Sequence, residues 1–302
     1  MSISRSLPVS LERIAPALFV LLWSSGWIAP VYGSWHSTAE LFLTVRFGLA
    51  ALAFAALSLA MGAAWPKNPR AIFHGLVSGA LMHGCYLGGV WWAIFHGVPA
   101  SVSGVIAALQ PLMTAALAPW LVKERLSPIQ LAGLILGFAG ILIALAPSFQ
   151  NVEPGMLAGR AIPIAINITA MLGVVFGTLY QKRFVTGGDM RTTAVWQYLG
   201  AVMIVGPLAL FGEETRFDGS LELWLVIAWS VIVLSMGGVG LLLYMIRRGQ
   251  VSRAASLIYL MPPAVAIESF IFLGEPLGPY MIIGTVVVVF GVWLAGRKPA
   301  VA

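Results

Sequence analysis

Ionisable side chains inside long apolar runs are the residues of this sequence best suited to chemistry. Glu268 is the only acidic residue deep in its run, and an ionised group near the centre of a bilayer costs about 2.5 kcal/mol or more on insertion scales. Such a group normally faces water or a partner, so Glu268 is predicted to contact substrate or to carry protons. His83 is the second candidate proton carrier, because imidazole titrates near neutral pH. The alternatives are protonation or an outer-face ion pair for Glu268 and simple packing for His83.

Aromatic and polar side chains recur in these runs at helical spacing, where residues three, four or seven apart share a face. Trp23 and Trp27 follow Phe19 at intervals of four, and Gln110 follows Ser103 by seven. These stripes predict an aromatic and apolar pocket with a few amides and one carboxylate. Its candidate substrate-binding residues are Trp23, Trp27, His83, Tyr86, Ser103, Gln110, Asn167, Trp229, Met261 and Glu268. The alternative for these side chains is packing, or for Gln110 a hydrogen bond to a neighbouring helix.

Motifs of other chemistries are absent from the sequence. There is no phosphate loop G-x-x-x-x-G-K-[ST], so an ATP-driven pump would need another subunit. The dinucleotide motif G-x-G-x-x-G, the metalloprotease motif H-E-x-x-H and the hydrolase motif G-x-S-x-G are also missing. Cys85 is the single cysteine, and the four histidines form no recognisable ligand set. We therefore expect no metal, no cofactor and no enzyme activity.

Membrane-spanning helices are the elements that must position these residues. Hydrophobic residues make up 60% of the 302 residues and charged residues 9%, with a mean hydropathy of +0.94. Such a composition is incompatible with an ordinary soluble domain. Because the apolar runs are continuous and lack the alternation of barrel strands, the sequence predicts helices.

Ten runs have roughly the 20 residues that a helix needs to cross a bilayer core, and we number them as spans one to ten. The first five are Ile14–Val31, Glu40–Ala63, Ile72–Phe95, Ala100–Val122 and Ile129–Ala146, and the second five are Ala161–Tyr180, Thr193–Phe211, Leu221–Ile246, Ala254–Leu273 and Tyr280–Ala295. Almost no chain remains for a soluble domain.

The two halves of the chain resemble each other at a constant offset. Ser101, Leu109, Pro111, Glu124, Leu126, Pro128, Gly133 and Gly140 recur as Ser252, Leu260, Pro262, Glu275, Leu277, Pro279, Gly284 and Gly291. We therefore predict two five-helix units, residues 1–150 and 151–302, which form one transport unit. Since five is odd, the second unit is inverted, and inverted repeats commonly enclose a substrate site near the bilayer midplane. Met261 is the residue of the second half that the offset relates to Gln110. The next residue on the same helix face, seven positions later, is Glu268.

Basic residues predict the orientation, because Lys and Arg that flank spans stay on the cytoplasmic side. With both termini in the cytoplasm, all but three of the 17 Lys and Arg residues fall in cytoplasmic segments; the exceptions are Arg46, Arg160 and Arg216. The net charge of +6 and the pI of 9.8 therefore indicate topology and attraction to anionic lipids. They do not indicate nucleic-acid binding.

Prolines and glycines inside the spans predict bends and close helix crossings. Pro111, Pro262 and Pro263 free backbone carbonyls in spans four and nine, so they are candidate hinges, with static kinks as the alternative. Glycines four residues apart, such as Gly75 and Gly79, are predicted to let two helices approach closely.

Two charged residues are given structural roles. Arg46 lies close enough to the end of span two for its side chain to reach the membrane interface. Glu275 flanks a loop and is predicted to cap a helix or to pair with a basic group.

Three local patterns resemble a known family. They are Trp23-Ser24-Ser25-Gly26 in span one, Arg46-Phe47 in span two, and the two segments of the form P…E-x-L…G…G. Over essentially its whole length the chain is similar to the drug/metabolite transporter superfamily, EamA type, and within it to bacterial amino-acid exporters. The resemblance implies a ten-helix basket whose central cavity is lined mainly by spans one, three, four, six, eight and nine. It also implies transport in the export direction.

The sequence thus predicts an all-α integral membrane protein, with ten transmembrane helices in two inverted five-helix repeats around a central cavity. We expect a bacterial inner-membrane secondary transporter or facilitator that exports small neutral metabolites by alternating access. Amino acids, including aromatic and apolar ones, are the expected cargo. The expected partners are this small-molecule substrate and membrane lipid, with no nucleic acid and no obligate protein partner. Cationic drugs, polyamines or nucleotide precursors are alternative cargoes, and a membrane-embedded enzyme or sensor is the remote alternative.

Overall fold

The computed structural model describes residues 9–122, 127–149, 157–212, 215–238, 240–241, 257 and 260–297. Helices make up nearly all of this part of the chain, and its only extended pairing is an isolated bridge between Ser37 and Phe217. The predicted all-α class is therefore confirmed. The repeat positions Glu124, Leu126 and Ser252 lie outside the described residues.

Helices follow one another closely along the described chain. In the first half they are α1 Val9–Ser24, α2 Ala29–Ser34, α3 Ala39–Ala60, α4 Pro69–Gly79, the π-helix π1 Ala80–Leu87, α5 Gly88–Phe95, α6 Ala100–Ala107, α7 Leu109–Val122 and α8 Pro128–Phe149. In the second half they are α9 Leu157–Phe184, α10 Met190–Phe211, α11 Leu221–Ala228, the π-helix π2 Trp229–Gly238, α12 Met261–Leu273 and α13 Pro279–Ala295. Each of the ten predicted runs overlaps one or more of these helices.

Six helical segments of the described residues are long and apolar enough to cross a bilayer, so the chain is an integral membrane protein. They are Ile14–Ser34, Ala39–Ala60, Pro128–Pro147, Ala161–Phe184, Met190–Phe211 and Leu221–Gly238. Ala100–Thr114, Met261–Leu273 and Pro279–Ala295 are shorter apolar helices. The arrangement of ten spans as inverted repeats stays a prediction.

Local capping explains where several helices begin. The side chain of Ser127 and that of Gln130 each accept a hydrogen bond from the other residue's backbone N–H, which is the capping box that starts α8. Asn68 caps α4, whose first residue is Pro69, and Ser220 caps α11. These polar residues stop the apolar runs and fix the helix ends on which the packing depends.

Four predicted spans are not single α-helices. Span one is interrupted by the turn at 25–28, and span four by Ala108. Spans three and eight contain π1 and π2. A π-helix closes i to i+5 hydrogen bonds and has more residues per turn than an α-helix, so residues three or seven apart no longer share a face. The continuous α-helical register assumed for the stripes is therefore wrong at these points.

The candidate hinge prolines lie in the first turns of two helices. Pro111 is the third residue of α7, and Pro262 and Pro263 are the second and third residues of α12. The N–H groups of a first turn have no intrahelical partner, so proline loses no hydrogen bond there. These prolines start a helix and do not interrupt one; a hinge role for them stays a prediction.

Glycines allow α8 and α13 to pack tightly along each other. A Cβ on Gly140 would lie 2.9 Å from the carbonyl oxygen of Gly284, and a Cβ on Gly284 would lie 2.7 Å from that of Gly140. Gly133 and Gly291 oppose each other in the same way, at 2.7 and 2.8 Å. Only glycine permits such a crossing. The repeat offset relates Gly133 to Gly284 and Gly140 to Gly291, so equivalent helices of the two halves meet, each glycine opposite the non-equivalent glycine of the other pair.

Candidate substrate-binding site

The helices that carry most of the predicted site residues contact one another. Helix α1 contacts α12 and π2, and α6 contacts α12 and α9. Both π1 and α5 contact α9. Spans eight, one, nine, four, six and three therefore form a continuous series of neighbours.

Glu268 of α12 meets the end of α1. Its Oε1 accepts a hydrogen bond of 2.7 Å from the hydroxyl of Ser24, and the residue is only 7% exposed. Its other carboxylate oxygen, Oε2, is buried and has no hydrogen-bond partner among the described residues. A buried carboxylate oxygen without a donor is costly, so this atom is suited to bind a proton or a cationic group.

Asn167 of α9 and Ser103 of α6 form the second polar contact. The amide nitrogen of Asn167 donates a hydrogen bond of 2.7 Å to the hydroxyl of Ser103, and both residues are fully buried. Asn167 Oδ1 has no partner within the described part of the chain. This contact between spans four and six thus leaves one acceptor unpaired among the described residues.

Aromatic side chains lie beside the Ser24 contact. The ring of Trp23 is 5.1 Å from that of Phe19 and packs against the small cluster that contains Met261. The indole N–H of Trp229 donates a hydrogen bond of 3.0 Å to the hydroxyl of Ser25. Trp23, Trp229, Met261 and Glu268, which lie far apart in sequence, are therefore grouped around the end of α1.

Four other predicted site residues lie outside these contacts. Trp27 is buried in the main core, in the turn after α1, and its indole N–H has no described partner. His83 stacks on Tyr198 of α10, with ring centroids 4.7 Å apart. Tyr86 and Gln110 are half-buried, and Tyr86 packs against the main core. Their roles in binding stay predictions.

Arg46 is placed differently from its prediction. Its side chain does not extend to the membrane interface, because the residue is only 4% exposed and its guanidinium lies 4.2 Å from the centroid of the Trp91 ring. Nothing in the local sequence indicates this burial, because it depends on how α5 packs against α3.

Glu275 has the capping role predicted for it. Its carboxylate accepts hydrogen bonds from the backbone N–H groups of Ala100 and Ser101, at 2.8 and 3.0 Å, and from the hydroxyl of Ser101. A negative charge at the start of α6 stabilises that helix. The loop after α12 is thereby tied to the start of α6, the helix that carries Ser103.

A cavity of about 660 Å³ that sequence reasoning missed lies at one end of the bundle. Its lining combines aromatic side chains with one acid, one arginine and one histidine: Ser34, Ser37, Thr38, Ala39, Glu40, Trp92, Phe95, His96, Leu208, Phe211, Gly212 and Arg216. None of the predicted site residues lines it. Among the described residues, no group of three or more His, Cys, Asp or Glu side chains is arranged to hold a metal ion.

Two loops are fastened together beside this cavity. His36 Nδ1 contacts the carboxylate of Asp218 at 2.6 Å, and Nε2 contacts that of Glu222 at 3.0 Å. The hydrogen bond with Asp218 is the main cause of a pKa of His36 above its ordinary value of 6.5. The pKa of Asp218 is lowered to about 2, mainly by the hydrogen bond from the backbone N–H of Ser220 and next by the hydrogen bond with His36.

The contact between these loops is expected to weaken as the pH rises. The stability that protonated His36 gives to this contact is complete below pH 6.5 and is lost as the pH rises through the raised pKa of His36. The stability that ionised Asp218 gives is complete above pH 3.8 and is lost only as the pH falls through about 2. Hydrogen exchange of the Asp218 amide, which donates to the carbonyl of His36, measures this. Relative to His36→Gln at each pH, protection should be several-fold greater at pH 6 than at pH 9. An equal ratio at both pH values would contradict the assignment.

Comparisons with known proteins agree with this architecture. A model of the EamA-like transporter family matches residues 14–146 and 161–297. The chain is 23% identical over 286 residues to the "Probable amino-acid metabolite efflux pump" of Salmonella typhimurium, covering 92% of each chain. It is also 23% identical over 289 residues to an uncharacterised transporter of Archaeoglobus fulgidus, covering 94% of this chain and 98% of that one.

A solved crystal structure is similar in fold. It matches with a TM-score of 0.63 at 17% identity, and the match covers 95% of this chain and 96% of the other. The two family matches together span most of the sequence, and the relatives are transporters, which implies a small-molecule substrate. The chain belongs to the EamA-like transporter family.

Proposed function

We propose that this transporter is a secondary transporter or facilitator of the bacterial inner membrane that exports neutral amino acids, including aromatic and apolar ones. Both termini lie in the cytoplasm, and two inverted five-helix repeats, residues 1–150 and 151–302, alternate between an inward-open and an outward-open state. The relative named as an amino-acid metabolite efflux pump supports the choice of cargo. The reciprocal packing of Gly140 and Gly284 supports the repeats, because it joins equivalent helices of the two halves.

The observation that carries the proposal is the contact between Ser24 and Glu268. A carboxylate 7% exposed, with one oxygen unpaired among the described residues, lies where the helix of span one is broken. Ionisable groups within membrane-spanning helices are costly and mark substrate or ion pathways. Broken helices are typical of the binding sites of secondary transporters.

In the proposed cycle, substrate enters from the cytoplasm and its side chain packs on Trp23, Trp27 and Tyr86. The amides of Asn167 and Gln110 bind its backbone groups. Rearrangement at Pro111, Pro262 and Pro263 then opens the site to the outside. Glu268 and His83 are the proposed proton carriers, and Ser103, Trp229 and Met261 complete the pocket.

Export of organic cations is the second candidate function, because the unpaired oxygen of Glu268 also suits an ammonium group. Zwitterions and cations differ in what they demand of the site: a zwitterion needs donors for its carboxylate as well as acceptors for its ammonium. A competition panel that contains both classes distinguishes the two functions.

Liposomes that contain the purified protein test the function. Labelled Phe, Leu, Thr and a cationic drug are each offered with and without a pH gradient, and we expect uptake of the amino acids in preference to the drug. Trp23→Ala should weaken competition by Phe about tenfold, since it removes an aromatic contact. Trp293→Ala is the matched control, because Trp293 is 41% exposed and its ring contacts among the described residues are with Phe290 and Arg297. Preferential uptake of the drug would overturn the amino-acid assignment.

A further inference from the structure

Arg46 is a buried cation with no counter-charge in the described part of the chain. It lies in α3, seven residues after the helix begins, or about 10 Å along the axis. The residue is 4% exposed, and its Nε and Nη1 atoms are buried without a hydrogen-bond partner among the described residues. Burial of an unpaired guanidinium is among the costliest arrangements in a protein, so its retention calls for a functional reason.

Aromatic rings surround the Arg46 guanidinium. It lies 4.2 Å from the ring centroid of Trp91 and 5.5 Å from that of Phe47. The Phe47 ring is 6.0 Å from Tyr198, on which His83 stacks. Cation–π contacts attract the guanidinium to these rings but leave the N–H donors of Nε and Nη1 unused.

The described acidic side chains are committed elsewhere or lie on another face. Glu268 binds Ser24, Glu275 caps α6, and Asp218 and Glu222 contact His36. Asp189 pairs with Arg191. Glu40, on the same helix as Arg46, is six residues earlier, which places it about 120° away around the helix axis.

We propose that Arg46 binds the carboxylate of the transported substrate. A planar guanidinium with several N–H donors matches a carboxylate in geometry and charge. The neighbouring Trp91, Phe47 and Tyr198 rings suit a substrate whose remainder is aromatic or apolar. The inference rests on the proposed function and refines it: the cargo bears a carboxylate, so amino acids are favoured over organic cations. The site is closed in this conformation, and ligand reaches it when the surrounding helices separate during the alternating-access cycle.

The test compares Phe with phenylalaninol, which lacks the carboxylate, and with phenylacetate, which lacks the ammonium group and is one carbon shorter. In parent protein, Phe should compete for transport at least about tenfold better than phenylalaninol, since a site built for a charged group rejects ligands without it. In Arg46→Gln the two should compete within about twofold, and Arg46→Lys should lie between. Arg183→Gln is the matched control, because Arg183 is exposed and also lies near an aromatic ring, that of Phe184.

A measurement of the thermal unfolding temperature, with and without ligand, keeps the test decisive if a variant transports poorly because it folds poorly. Phe and phenylacetate should raise the unfolding temperature of the parent protein and phenylalaninol should not, and in Arg46→Gln or Arg46→Lys the effect should vanish or shrink. Persistence of the full Phe preference in Arg46→Gln, or equal stabilisation of the parent by phenylalaninol, would overturn the proposal. If phenylacetate stabilises the parent protein and Arg46→Gln abolishes that effect, Arg46 binds carboxylates even if no amino acid is transported. Failure of the Arg46 proposal can therefore be distinguished from failure of the proposed transport function.

The lipid composition of the vesicles must also be varied. An anionic lipid phosphate is the other source of a negative group for Arg46. Vesicles of phosphatidylcholine alone and vesicles with phosphatidylglycerol distinguish the sources. If Arg46 binds lipid, Arg46→Gln will remove a dependence on phosphatidylglycerol and leave the preference for Phe intact, which contradicts the proposal.

Discussion

Replacing Glu268 by Gln is expected to abolish accumulation driven by a pH gradient and to spare exchange of substrate. The amide keeps the shape of the side chain and can still accept the hydrogen bond from Ser24. It cannot bind and release a proton, so transport and the gradient become uncoupled. For one coupled proton, a gradient of one pH unit supports about tenfold accumulation in parent protein. In Glu268→Gln the ratio should fall to about one.

Two further variants separate coupling from stability. Glu275→Gln removes the charge of a carboxylate that caps α6, so it should lower the unfolding temperature and leave the accumulation ratio of the folded protein unchanged. Ser24→Ala removes one hydrogen bond to Glu268 and should reduce accumulation only partly. If Glu268→Gln accumulates substrate to the same ratio as the parent, Glu268 does not carry the coupled proton.

Helix positions followed from the sequence because apolar length is a local property. Span two was predicted as Glu40–Ala63 and is observed as Ala39–Ala60, and span ten was predicted as Tyr280–Ala295 and is observed as Pro279–Ala295. Proline, glycine and polar caps mark such ends in the sequence itself. The same local signals led to the correct capping role for Glu275.

Interruptions within the spans could not be predicted in this way. The π-helices at Ala80–Leu87 and Trp229–Gly238 are largely apolar, as regular membrane helices are. A stripe assumes 3.6 residues per turn, and a π-helix changes that number. His83, which lies inside π1, stacks on Tyr198, a residue that no stripe contained.

Partners across helices depend on packing, which a single sequence does not contain. Glu268 could be singled out from its surroundings, but not its contact with Ser24, which is 244 residues away. Arg46 is another example of this limit. Its position near a helix end suggests an interfacial side chain, but Trp91 packs against the Arg46 side chain and buries it. Sequence reasoning thus finds costly residues more readily than it finds what surrounds them.

The crossing of α4 and α10 gives the second large effect. Gly79→Ala should lower the thermal unfolding temperature by about 5 °C or more, because the added Cβ would overlap the backbone carbonyl of Gln197. A flexible side chain could move aside, but a carbonyl on a helix cannot, so the two helices must separate along their length. Gly200→Ala should act similarly, since its Cβ would overlap the carbonyl of Leu76.

Gly48→Ala distinguishes this clash from a general effect of replacing glycine. Gly48 lies inside α3 with open space around the position of a Cβ, and alanine favours helix over glycine by about 1 kcal/mol. Gly48→Ala should therefore keep or raise the unfolding temperature. Equal unfolding temperatures for Gly79→Ala and Gly48→Ala would show that α4 and α10 do not meet at this glycine. The contact between spans three and seven, and with it the placement of His83 against Tyr198, would then have to be revised.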